Sequence, residues 1–257
     1  MRLLFVGDIF GKPGREALLR WLPGFLDERE VDFVVVNGEN AANGAGITSK
    51  IAERLLAGGV DVITTGNHVW RQKEVFTFLA TDERIVRPAN YPPGAPGRGL
   101  TVRPAADGSE VAVINLAGEV FLNSGLSPFR IVDRLVEEAQ QLADTILVDL
   151  HAEATSEKVA MGHYLDGRAT AVVGTHTPVQ TSDARVLPGG TAYITDVGMT
   201  GPRDSVIGVR TDVILRRFTT ELPQQFEVAE GPVRLDAVVV DAEGGRATGI
   251  ETLDLIL

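Results

Sequence analysis

Phe33-Val34-Val35-Val36-Asn37-Gly38-Glu39-Asn40 is an apolar run, mostly β-branched, that passes without alternation into side chains able to bind metals. A continuous run of this length suits a strand covered on both faces, as in the parallel sheets of α/β proteins. The construction recurs. Leu3 to Val6 leads into Gly7-Asp8, Val62 to Thr65 into Gly66-Asn67-His68, Ile146 to Leu150 into His151, and Ala171 to Val173 into Gly174-Thr175-His176. Between these runs lie helix-like stretches: Arg15 to Glu28, Ser49 to Ala57, Gln72 to Leu79, and Ile131 to Ala143. In the last of these Ile131, Leu135, Val136, Ala139 and Leu142 share one face. Strand and helix in alternation indicate βαβ units and a largely parallel sheet.

The remainder is richer in strands. Pro88 to Gly97 is a long proline- and glycine-rich loop, after which strand-like Leu100 to Val102 and Val111 to Asn115 resume. Beyond Gly174 the expected strands are Ala192 to Thr195, Val209 to Leu215, Phe226 to Val228, Val233 to Val240 and, after a Gly244-Gly245 turn, Ile250 to Ile256. Two sheets face to face, with helices outside, accommodate both textures. The 257 residues suit one compact domain spanning 1–257, and the chain carries no internal repeat.

Composition narrows the function. A hydrophobic content of 44% with 23% charged residues is that of a globular chain, and a net charge of −11 disfavours extended duplex nucleic acid as a partner. A small phosphate ester at a metal site stays compatible with that charge. Without cysteine there are no thiolate nucleophiles, zinc-thiolate sites or iron–sulfur clusters, so any metal must take oxygen and nitrogen ligands. The opening apolar run is too short for a signal peptide, and none approaches the roughly 20 residues of a membrane span. A cytoplasmic location is the resulting expectation.

Ligands of α/β sheets collect beyond the carboxyl ends of the strands, where Asp8, Glu39, Asn40, Asn67, His151 and His176 all fall. Any one of them alone would be an ordinary turn residue. Their joint occurrence, with three of the chain's four histidines at strand ends, is not ordinary. The succession Gly7-Asp8, Asn37-Gly38-Glu39-Asn40, Thr65-Gly66-Asn67-His68, Leu150-His151-Ala152-Glu153 and Gly174-Thr175-His176-Thr177 resembles the calcineurin-like metallophosphoesterases, most closely their bacterial YmdB-type branch. Ala192 to Pro202 adds to the resemblance, which runs from residue 1 to about residue 210.

The resemblance implies an α/β fold, a four-layer α/β/β/α sandwich of mixed, largely parallel sheets. It also implies two divalent metals and hydrolysis of phosphodiesters, with 2′,3′-cyclic nucleotides the leading substrate class and 3′,5′-cyclic nucleotides or oligonucleotide ends the others. By the same resemblance Glu39 would bridge the metals, Asp8 and Asn40 would complete one site, and Asn67, His151 and His176 the other. His68 would adjoin them without being a ligand. Two positions depart from the wider pattern. Phe10 replaces a histidine in the first motif, and Pro178 stands where the last motif brings an imidazole, although proline has no side-chain donor atom. The first site would then be oxygen-only and weak, suited to Mn or Mg, and the second a mixed site suited to Fe, Mn or Zn.

A nucleophile generated between two cations needs no covalent protein intermediate, but a ribose oxygen is a basic leaving group and calls for a proton donor. His68 is the candidate. His163, Arg203 and Trp70 are further candidates: a histidine behind the ligands, a phosphate contact and a base-stacking ring. Glu153 is read as a charge at a helix start, and Asn40 to Gly46 as a flexible lip of the metal pocket. The rival reading is a metal- and nucleotide-binding regulatory protein with weak or no turnover, because Pro178 removes a ligand. The β-rich carboxyl-terminal third is a candidate surface for homo-oligomer formation.

Overall fold

The computed structural model describes residues 1–122 and 125–257. The amino-terminal part runs β1 (Arg2–Val6), β2 (Asp8–Ile9), α1 (Gly11–Arg29), β3 (Phe33–Asn37), α2 (Ser49–Ala57), β4 (Val62–Thr64) and α3 (Val75–Thr81). The middle runs β5 (Leu100–Pro104), β6 (Glu110–Ala117), α4 (Val132–Gln140), β7 (Thr145–Ala152), α5 (Thr155–Tyr164) and β8 (Ala171–His176). The last part holds β9 (Arg185–Val186), β10 (Ala192–Ile194), β11 (Met199–Pro202), α6 (Thr211–Thr220), β12 (Val233–Glu243) and β13 (Arg246–Ile256).

These strands form two mixed sheets. One has the order β2-β11-β12-β1-β3-β4, with β13 added along β12, and the other has the order β5-β6-β7-β8-β10-β9. The strands that lead to the site pair in parallel: β1 with β3, β3 with β4, and β6 with β7 and β8. Antiparallel partners flank them, with β12 on β1 and β5 on β6. Parallel pairing sets the carboxyl ends of β1, β3 and β4 on one edge of the first sheet. The ends of β7 and β8 are aligned in the same way in the second.

The sheets pack face to face. Leu3, Phe5, Phe33, Val35 and Val62 of the first sheet share a buried cluster with Val111, Val113, Leu147, Val173 and Ile194 of the second. The other face of the first sheet packs on α1 and α2 through Leu18, Leu22, Ala52 and Leu55. The other face of the second packs on α4 and α5 through Leu135, Val136, Ala139 and Met161. Four layers result, and strands covered on both faces explain the continuous apolar runs. Thr48 starts α2 by accepting the Ile51 N–H at 3.3 Å, a side-chain cap for an otherwise unpaired donor. Among the described residues, no helix is long and apolar enough to cross a membrane.

Three expectations need correction. Val209 to Leu215 is not a strand: from Thr211 onward it is α6, which buries Ile214, because a short β-branched run fits either period until its neighbours choose. Phe226 to Val228 contributes only an isolated bridge from Val228 to Val209. Leu142 lies beyond the end of α4 and is 55% exposed, so the apolar stripe stops at Ala139. The Pro88 to Gly97 loop is folded around Arg87, whose guanidinium donates to the carbonyls of Pro88, Ala95, Pro96 and Gly97.

Leu147, fully buried between the sheets, and exposed Leu142 make a direct comparison. In urea denaturation Leu147→Ala should cost about 2–5 kcal/mol through lost burial and a residual cavity, whereas Leu142→Ala should stay within about 0.5 kcal/mol.

Candidate metal centre

The chain reaches Asp8 through Gly7, where a Cβ would strike the Gly198 carbonyl. Both Asp8 carboxylate oxygens are buried and have no hydrogen-bond partner among the described residues. Burial pushes the Asp8 carboxyl well above the usual range; His151 opposes the shift, while Glu39, Asp196 and Asp149 reinforce it. A buried carboxylate in this state needs either a proton or a cation.

Glu39 follows the carboxyl end of β3 and is fully buried. Its Oε2 accepts the His68 N–H at 3.0 Å. Its Oε1 lies 3.1 Å from His68 Nδ1 and 3.2 Å from His151 Nε2, yet neither ring aligns a hydrogen bond to it. Burial would raise the Glu39 pKa, but His151 and His68 outweigh burial and hold it below the carboxylate range. Gly66 completes the cradle, since a Cβ there would strike Glu39 and the His151 ring.

Hydrogen bonding assigns the proton positions on the two buried-site imidazoles. Thr175 Oγ1 donates to Asp149 Oδ1 at 2.7 Å, so toward His151 Nδ1 at 2.9 Å it must accept. His151 therefore carries its proton on Nδ1 and turns Nε2 toward Asn67 Oδ1 at 3.0 Å and His176 Nδ1 at 3.1 Å. His176 Nε2 lies 2.8 Å from Glu153 Oε2 and donates to it, which leaves Nδ1 facing the same point. Donor atoms of Glu39, His151 and His176 all fall within 4.8 Å of one another and could hold a metal ion.

The electrostatics agree with that donor set. Burial would lower the His151 pKa, but Glu39, Asp8 and Asp149 outweigh burial and raise it to about 9. A pocket that draws a proton onto a buried imidazole is short of positive charge. His176, by contrast, is lowered to about 4 by burial and by His151, so it stays neutral with an available lone pair. One orphaned and one half-satisfied carboxylate, a neutral imidazole and convergent oxygen and nitrogen donors fit a divalent cation.

Support comes from behind. Asn37 Nδ2 donates to Asp149 Oδ2 at 3.0 Å, joining the end of β3 to β7 across the two sheets. His176 adopts a left-handed φ of 93°, strained for a residue other than glycine. The segment after it is pinned by a buried ion pair, Lys158 Nζ to Asp196 Oδ2 at 2.5 Å, with Thr177 Oγ1 accepting from Lys158 at 2.9 Å. His68 Nδ1 lies 2.9 Å from Asn40 Oδ1, which orients the ring at the site's edge.

A cavity of about 610 Å³ opens over these groups. Asp8, Glu39, Asn40, His68, Glu153 and His176 form its polar wall, and Phe10, Met199, Ile207, Val209 and Phe226 its apolar wall. Pro178 lies on the rim beside His176 and Thr177. Asn43, Gly44 and Ala45 make the lip, tied down by Gly44 N–H to Asn40 O at 2.9 Å and Gln72 to Ala45 O at 2.9 Å.

The structure thus brings together Asp8, Glu39, Asn40, Asn67, His68, His151 and His176. It places three other candidates elsewhere. Trp70 packs on Phe76 and Tyr91 with ring centroids 5.5 and 5.7 Å away, His163 and Arg203 are exposed, and none of the three lines the cavity. Glu153 is not merely a charge near a helix start, because it precedes α5 and meets His176. The Thr175–Asp149–Asn37 relay, the Lys158–Asp196 pair and the apolar wall carried no sequence signal beyond their residue types.

Residues 4–253 match the family model described as YmdB-like protein. The chain belongs to the YmdB-like family. It is 51% identical over 243 residues to a Bacillus subtilis (strain 168) protein named 2′,3′-cyclic-nucleotide 2′-phosphodiesterase, covering 95% of this chain and 92% of that one. A Thermus thermophilus protein of known structure, described as hypothetical, superposes with a TM-score of 0.93 at 46% identity, covering 100% of this chain and 99% of that one. A Mycoplasma pneumoniae structure described as a novel phosphatase gives 0.91 at 34% identity, with 100% and 93% covered. Such scores at these identities extend the family likeness to the whole fold.

In this family member the Thr175 hydroxyl fixes which His151 nitrogen faces Asn67 and His176. Thr175→Val should weaken Mn²⁺ retention by about 10- to 100-fold, the usual effect of removing a group that orients a metal-binding histidine. Equilibrium dialysis with metal analysis would check this.

Proposed function

We propose that this chain is a metal-dependent phosphodiesterase that hydrolyses small nucleotide phosphodiesters, with 2′,3′-cyclic nucleotides as its substrate class. The observation that carries the reading is the meeting of two buried carboxylates, Asp8 and Glu39, of whose four oxygens three have no hydrogen-bond partner among the described residues, with His151 and His176 at the edge of an open cavity. The name of the Bacillus subtilis relative supports the substrate class.

In this reading Asp8, Asn40 and Glu39 would hold one divalent cation and Asn67, His151, His176 and Glu39 the other, so that Glu39 would serve both. Fe or Mn suits the second donor set best, with Zn also compatible, and Mn or Mg suits the oxygen-only first set. Bound cations supply the charge that makes water an effective nucleophile at neutral pH and offsets the phosphoryl oxygens. The protein's own part is to hold the donors and handle the leaving group. His151 is kept in one tautomer by Thr175, and His176 by Glu153. His68 lines the cavity with Nδ1 held by Asn40, which supports its reading as the proton donor to the departing ribose oxygen.

Pro178 favours unequal sites, because it lines the same cavity as Asp8 and Asn40 and brings no nitrogen ligand to it. Hydrolysis of 2′,3′-cyclic AMP by metal-stripped protein titrated with Mn²⁺ tests the activity. Turnover should appear with metal and vanish in Glu39→Gln. Saturable nucleotide binding without turnover at excess Mn²⁺ would overturn it and favour a regulatory protein.

His68→Ala separates proton donation from metal binding. It should slow 2′,3′-cyclic AMP hydrolysis by about 10²- to 10⁴-fold and act much less on bis-p-nitrophenyl phosphate, whose leaving group needs no proton. Equal losses on both substrates would remove His68 from that role.

A further inference from the structure

The cavity lining has two unlike sets of side chains, and the proposed metal-dependent chemistry uses only the polar one. Beside the carboxylates and His176, the lining includes Phe10, Met199, Val209, Ile207 and Phe226. Phe10, Met199 and Val209 are buried against Ile214, but Ile207 is 57% and Phe226 51% exposed. Large apolar side chains left half in water at the mouth of a polar site call for an occupant.

The backbone holds both residues at that place. Val206 and Val209 close a tight turn by exchanging hydrogen bonds at 2.9 and 3.0 Å, with Ile207 at φ 46° and Gly208 at φ 91° between them. Two positive φ values suit Asn-Gly at such a turn, and a β-branched isoleucine in the first position is strained. Gly208 is required, because a Cβ there would strike the Phe10 ring. Phe226 is tied to the same turn through Arg210 N–H to Glu227 O at 3.0 Å and the Val209–Val228 bridge. The Arg217 guanidinium lies over the Phe226 ring, 4.9 Å from its centroid, which braces a ring that stays 51% exposed.

We propose that Phe226 and Ile207 form the subsite for the nucleobase of the substrate, gripping it by stacking and apolar contact, an inference that rests on the phosphodiesterase reading above. A phosphodiester drawn to the cations that Asp8 and Glu39 would hold, beside His68, leaves room in a cavity of about 610 Å³ for the ribose to carry the base onto the apolar part of the lining. Stacking on an aromatic face is tolerant of base identity, because every base has a π-face. The apolar wall offers no side-chain hydrogen-bonding group, so it grips without discriminating. Thr177 is engaged by Lys158 and Asp196, which leaves Asn43 on the lip as the cavity's polar group outside the proposed metal and proton machinery, and it alone cannot separate four bases.

The test compares 2′,3′-cyclic AMP with base-free ribose 2′,3′-cyclic phosphate. In Phe226→Ala the ratio of kcat/KM for the two should fall about tenfold, within the range of one base–aromatic stack. The loss should lie in KM for the nucleotide, and Phe226→Tyr should restore it. Ile207→Asn should lower the same ratio while raising Tm, since asparagine accepts the turn geometry. An unchanged ratio in both variants overturns the inference while leaving the phosphodiesterase reading intact. A changed oligomeric state by light scattering with an unchanged ratio also overturns it and makes the patch a protein interface. Should no cyclic nucleotide be hydrolysed, calorimetry with 3′-AMP decides: binding that weakens in Phe226→Ala sustains the base subsite while the substrate reading fails, and binding that does not weaken overturns both.

Discussion

Buried negative charge at the seam between the two sheets is the constraint on which the rest of the site depends. Asp8 arrives from the first sheet beside β11, Glu39 from the end of β3, and Asp149 from within β7 of the second sheet, all of them buried. Three carboxylates so close in a low-dielectric interior cannot all remain charged without compensation. The protein answers by degrees. Among the described residues, Asp149 is satisfied by Asn37 and Thr175, Glu39 is half satisfied by the His68 backbone N–H, and Asp8 is left without a hydrogen-bond partner. That gradient of satisfaction points from the protein interior toward the cavity, and it is the same direction in which the imidazole lone pairs point.

Rigid backbone approaches make this possible. Gly7 and Gly66 are absences of volume: a methyl group at either would displace the Gly198 carbonyl or the Glu39 and His151 side chains. Behind His176, the Lys158–Asp196 pair is fully buried, with Thr177 hydrogen-bonded into it. A buried ion pair adds little net stability, but it fixes the position of the strained turn that presents an imidazole. Stability is given up locally where ligand geometry is required.

Much of this was legible in the chain. Continuous apolar runs ending in Asp8, Glu39, Asn67 and His68 report strands buried on both faces with polar residues just past their ends, and β-sheet geometry then forces those ends onto common edges. His151 and His176 follow the same logic in the second sheet. What escaped was everything set by long-range contact: Glu153 two residues after His151 looked like a helix charge until the fold set it against His176, and Trp70 beside Asn67-His68 turned into a core with Phe76 and Tyr91. Val213 to Leu215 obeyed either period, and burial of Ile214 against Phe10 and Met199 decided for a helix.

The sequence by itself determined the layered α/β architecture and the polar set of the site, because hydrophobic periodicity is local and because residues at the ends of parallel strands have nowhere to go but a shared edge. Only the tertiary structure decided which nitrogens of His151 and His176 face each other, which carboxylate is left without a partner among the described residues, and that Ile207 and Phe226 line the same cavity. Those outcomes depend on side chains far apart in the chain meeting at hydrogen-bond or van der Waals distance, and no spacing within a segment encodes such a meeting.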